Sequence, residues 1–122
     1  MNSKFADRRK HSRAPVRIEI YCEELKGRDK KGAGIVSFYS TDISLGGIFL
    51  ETDVSFKIGD ILHLQFILPK LKETLKLNGI VVRATGSRDD QLPGIGLAFE
   101  NLSYDDKRII EGYVIDEIAD QL

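Results

Sequence analysis

Short runs of period-two hydropathy, each closed by a turn signal, constrain this chain more than any other feature. Val16, Ile18, Ile20 and Cys22 alternate with Arg17, Glu19, Tyr21 and Glu23. Successive strand side chains point to opposite faces, so this pattern predicts a strand with one buried face. Residues 35–43 are rich in β-branched and aromatic side chains and predict a second strand; Gly46-Gly47 punctuates it, and 48–51 resume as a third. Leu62, Leu64, Phe66 and Leu68 then share an apolar face opposite His63 and Gln65, and Pro69 ends that strand. Residues 75–84 and 94–99 predict a final antiparallel pair, with Ile95, Leu97 and Phe99 on one face. Short strands separated by turns predict a sandwich or a small barrel.

The period changes once. Ile110, Val114 and Ile118 recur every four residues, joined by Ile109, Tyr113 and Leu122. That spacing predicts one amphipathic helix over 103–122. Ser103 followed by Asp106 resembles a capping pair, and acidic residues suit a helix N-terminus. The helix is expected to lay its apolar stripe on an open barrel end. The class is therefore mainly β with a C-terminal α-helix.

Composition excludes several functions. A chain of 122 residues with 42% hydrophobic and 30% charged residues has the material for one folded domain. Its one cysteine, Cys22, rules out a disulfide framework, and there are no paired Cys or His for a zinc ribbon. No apolar run approaches membrane-spanning length, so no membrane insertion is expected; no apolar signal stretch opens the chain, and the cytoplasm is the expected location. The net charge of −1 hides an uneven distribution: +5 over residues 1–17, −1 over 18–99 and −5 over 100–122. The head has few apolar residues and is expected to be a flexible basic arm over residues 1–13, with 14–122 forming the folded body.

Residues that could support catalysis stay isolated. His63 falls on the polar face of a strand, Cys22 reads as a small core residue, and Asp89-Asp90 falls in a loop. Gly94-x-Gly96 sits inside a strand with no helix directly after it, which suits a bend or close backbone approach rather than a dinucleotide fingerprint. No nucleophile with its base, and no metal set, emerges, so neither enzyme activity nor a cofactor is expected.

Two motifs stand out. In Arg8-Arg9-Lys10-His11-Ser12-Arg13, three arginines flank three other residues just before the first strand. A guanidinium is planar and always charged, and its fork of donors matches phosphate oxygens and guanine O6 and N7. At the corner Asp42-Ile43-Ser44-Leu45-Gly46-Gly47, a carboxylate can accept from guanine N–H groups, a hydroxyl can donate or accept beside it, and glycine admits close approach to the backbone. The same corner also has the composition of an ordinary turn.

Together, Arg8-Arg9-x-x-x-Arg13 and the later Asp42-x-Ser44-x-x-Gly47 resemble the PilZ domain family, with Gly94-Ile95-Gly96-Leu97-Ala98-Phe99 and the terminal helix resembling its end. The resemblance spans roughly residues 6–120. It implies a six-stranded antiparallel β-barrel with a C-terminal helix, and a bacterial receptor for cyclic di-GMP rather than an enzyme. Carried over, Arg8, Arg9 and Arg13 would clamp guanine edges and phosphates, Asp42 and Ser44 would read guanine, and Gly47 would shape the corner. Asp7, just ahead of the arginine pair, leaves one ligand or an intercalated pair open. Binding is expected to order the arm and change the surface offered to an unidentified downstream protein, in motility, polysaccharide export or transcription. With nearly the whole chain used by one barrel, no second effector domain is expected.

Two other readings use the same residues. A nucleic-acid-binding barrel could use the basic arm, but residues 18–122 sum to −6 and offer no broad basic stripe, so no DNA or RNA is expected. A nucleotide-independent interaction module would work through the acidic face of the helix.

Overall fold

The computed structural model describes residues 12–25, 34–86 and 93–121. The strands are β1 (Arg13–Pro15), β2 (Glu19–Glu24), β3 (Val36–Ser44), β4 (Gly47–Glu51), β5 (Ile61–Ile67), β6 (Thr74–Thr85) and β7 (Gly94–Glu100), followed by the helix α1 (Tyr104–Asp120). All pairings are antiparallel. The order β3-β2-β5-β6-β7-β4 closes on itself through the β3–β4 pairing, giving the six-stranded barrel, with β1 as an added strand on β3. Closure leaves the six barrel strands no open edge between them.

The alternating residues fill the interior. Ile20, Cys22, Ile43, Ile48, Leu50, Leu62, Leu64, Phe66, Val81 and Ile95 are buried. Burial pushes the Cys22 thiol up to about 12, so it is a protonated core residue at neutral pH. His63 lies on the outer face of β5, where its Nδ1 stands 2.9 Å from Asn78 Oδ1.

The first predicted strand starts later than its alternation implies: residues 16–18 form a break between β1 and β2. Pairs Arg13↔Ser44 to Pro15↔Asp42 and Glu19↔Tyr39 to Cys22↔Val36 place β1 and β2 on the same edge of β3. Between them, residues 16–18 oppose only Ser40 and Thr41. Ser40, fully buried, stitches this break: its Oγ donates to Val16 O (2.5 Å) and accepts from Ile18 N–H (3.2 Å). The side chain thus supplies bonds that the irregular ladder lacks. Arg13, assigned to the arm by sequence, is the first residue of β1.

The helix forms as the four-residue spacing predicts, and Ser103 Oγ accepts from Asp106 N–H at 3.0 Å. Its buried residues Ile110, Tyr113 and Val114 join the barrel core, and among the strands it packs mainly on β1 and β3. Near the start of β3, Phe38 meets Phe56 edge to face at 6.1 Å, and both pack on the core.

Candidate ligand-binding site

Two β-bulges build the site. On β3, Ser40 pairs with Leu50 but Asp42 with Phe49, leaving Thr41 as an extra residue. An extra residue reverses the alternation beyond it. Val36, Phe38 and Ser40 follow the inward parity; past Thr41, Ile43 points inward while Asp42 and Ser44 take the outward parity. On β6, Val81 pairs with Leu97 but Arg83 with Gly96, leaving Val82 extra. Leu75, Leu77 and Val81 are buried, so without this bulge Arg83 would follow them inward. With it, Arg83 turns outward.

Both reversals aim at one place. The registers Pro15↔Asp42, Asp42↔Phe49, Phe49↔Gly96 and Gly96↔Arg83 form a single row across five strands. The row floors a groove of about 690 Å³ on the barrel's outer surface. That size suits a small ligand. Gly96 carries no side chain on this floor, and Gly94 lies two residues before it on β7. A Cβ on Gly94 would stand 2.5 Å from the Phe49 ring, so the glycine lets the ring lie against β7. The Arg83 guanidinium lies 5.2 Å over that ring.

Asp42 forms the other wall. Arg13 Nε donates to Asp42 Oδ1 (2.5 Å) and Arg13 Nη1 to Ser44 Oγ (3.2 Å). Thr41 Oγ1 donates to Asp42 Oδ2 (3.1 Å). Ser44 Oγ also accepts from the Gly46 and Gly47 N–H groups (3.1 and 3.3 Å), so this hydroxyl fixes the corner. Ser44 is only 2% exposed, and its oxygen is engaged from within the chain. Gly47 is required for a backbone reason: a Cβ there would sit 2.0 Å from Leu97 O on β7.

The structure therefore brings Arg13, Asp42, Ser44 and Gly47 together. Arg8 and Arg9 lie outside the described residues, as do the other residues of 1–11 and Asp89-Asp90. Arg83 and Phe49 were not singled out by sequence reasoning. The odd spacing from Phe38 to Ile43, both inward, is the signal that could have revealed the first bulge. A second groove of about 760 Å³ lies between α1 and the turn after β5. No motif residue lines it, and its Lys70 pairs to Glu117 and Asp120 are long (3.6 and 3.7 Å). No helix among the described residues is long and apolar enough to cross a membrane.

The family model for the PilZ domain matches residues 7–116, which includes both motifs. The chain belongs to the PilZ domain family. No curated protein sequence matches this PilZ domain. Its fold is similar to the inhibitor of motility MotI/DgrA of Bacillus subtilis, with a TM-score of 0.74 and 19% identity, over 92% of this chain and 52% of that one. It is also similar to the PilZ domain of YcgR from Escherichia coli, solved with c-di-GMP: TM-score 0.67, 14% identity, 93% of this chain and 94% of that one. The MrkH–c-di-GMP complex of K. pneumonia gives 0.66 and 22%, over 93% and 52%. The PilZ domain thus spans about half the length of MotI and MrkH, and nearly all of the isolated YcgR domain.

Proposed function

We propose that this PilZ domain is a receptor for cyclic di-GMP, and that the ligand occupies the groove between Asp42 and Arg83. One observation carries the reading: two separate bulges turn a carboxylate and a guanidinium outward on a single row of the sheet. Bulges that re-aim side chains are enriched beside ligand sites. The family and the cyclic di-GMP bound to YcgR and MrkH support the ligand's identity.

The roles follow from chemistry. Asp42 accepts from the N–H edge of one guanine. Arg13 already has its fork in the groove; it exchanges part of its pairing with Asp42 and Ser44 for phosphate oxygens or guanine O6 and N7. Arg83 faces the ligand from the opposite wall and presents its plane for stacking or its donors for phosphate. Arg8 and Arg9 complete the clamp from the segment ahead of β1. The chemistry is binding, with no bond made or broken, and the altered surface passes the signal to a protein partner.

Titration calorimetry tests this. The domain should bind cyclic di-GMP and discriminate against cyclic di-AMP, whose base lacks the guanine N–H edge. Asp42→Ala and Arg83→Ala each remove a charged hydrogen-bonding group worth about 1.5–3 kcal/mol, so each should weaken binding tenfold or more. Equal affinity for the two dinucleotides, or unchanged binding in both variants, contradicts the reading.

A further inference from the structure

On the outer face of β2, β3 and β5 lies an aromatic and acidic patch that the ligand groove does not use. Glu19 pairs across to Tyr39, and Tyr21 pairs across to Ser37 on one side and Gln65 on the other. Tyr21, Tyr39 and Ile67 are 44%, 48% and 50% exposed. Exposed tyrosines held on a rigid sheet contribute contact area at low entropic cost.

The patch contains a demonstration of what it can hold. The Arg17 guanidinium lies 4.8 Å over the Tyr39 ring, and Arg17 Nη1 donates to Glu51 Oε1 at 2.7 Å. A tyrosine face and a carboxylate together seat one guanidinium. On the neighbouring strand the same two groups recur. Tyr21 Oη donates to Glu19 Oε1 (3.1 Å) and Ser37 Oγ donates to Glu19 Oε2 (2.8 Å), so the carboxylate is oriented. That hydrogen bond and the Glu19 charge push the Tyr21 phenol up, which keeps it a donor. Both donors are neutral, so the Glu19 charge stands. No cation among the described residues pairs with Glu19 or with Glu23 further along β2; Lys76, beyond Gln65 on β6, forms no ion pair with either.

We propose that this face docks a protein partner through an arginine side chain, which stacks on Tyr21 and pairs with Glu19 as Arg17 does with Tyr39 and Glu51. Arginine is specified because its plane lies flat on the ring while its fork reaches the carboxylate; an ammonium is a point charge with neither plane nor fork, and serves the two groups together less well. Tyrosine and arginine also dominate binding energy in protein interfaces. The inference does not depend on the cyclic di-GMP reading.

The test uses the full chain, isotope-labelled, and a capped glycine-spaced peptide with two arginines, with its two-lysine counterpart as comparison. The Tyr21 ring and the Glu19 and Gln65 amides should shift, with the lysine peptide weaker by about threefold or more. Glu19→Gln, a surface change that keeps shape, should weaken the arginine peptide by about threefold. Shifts centred on Asp116 and Glu117 of α1, or equal response to both peptides, would show generic charge attraction and overturn the proposal. So would self-association of the chain alone through this face, seen as concentration-dependent sedimentation abolished by Glu19→Gln, because a second copy would then be the occupant.

Discussion

Gly47 and Gly112 show how far one residue type can diverge in its demands. At Gly47 a methyl group would press into the Leu97 carbonyl, which belongs to a neighbouring strand and cannot swing aside. At Gly112, inside α1, an added Cβ meets nothing within 4 Å. Gly47→Ala should therefore cost about 3 kcal/mol through overpacking. Gly112→Ala should gain about 1 kcal/mol through helix propensity. Urea denaturation midpoints check both, and opposite signs are the expected result. The sequence marked Gly47 through its place in a motif, but the reason it must be glycine is a contact with β7, fifty residues on. Arg83 was harder still to see. It stands in Val81-Val82-Arg83-Ala84, and nothing local says which face it takes.

At the scale of elements, the strand positions were legible because burial imposes period two, and the helix because its period differs. The bulges were not, since an extra residue breaks the very alternation by which strands are recognised. The same holds for the first strand, which the sequence presents as continuous from Val16 to Cys22; in the structure residues 16–18 fall in the break between β1 and β2, and β2 begins only at Glu19. Its burial still alternates through the break, from Ala14 and Val16 to Ile20 and Cys22, which is why the break left no mark in the hydropathy. Ser40 bridges it. Ser40→Ala would strand the Val16 carbonyl and the Ile18 N–H, and should cost about 2 kcal/mol. The thermal unfolding transition checks this; a variant as stable as the parent would mean that the break is held by other bonds.

At the scale of the molecule, the barrel makes a site from strands far apart in sequence. Pro15, Asp42, Phe49, Gly96 and Arg83 come from five strands, and only closure of the barrel sets them in one row, with Arg13 reaching Asp42 from the register beside it. One wall of that groove was readable, through Arg13 and the Asp42-x-Ser44 motif, and the register supplied the other. The charge separation along the chain fits the same picture, because a head of +5 suits an anionic ligand at a groove whose near wall carries Asp42. The central claim is that cyclic di-GMP sits between Asp42 and Arg83. Amide shift mapping of the labelled chain at saturating cyclic di-GMP tests it most directly. The largest shifts should fall at Asp42, Ser44, Gly47 and Phe49 together with Arg83 and Gly96. No shifts, or shifts confined to α1 and the turn after β5, would contradict it.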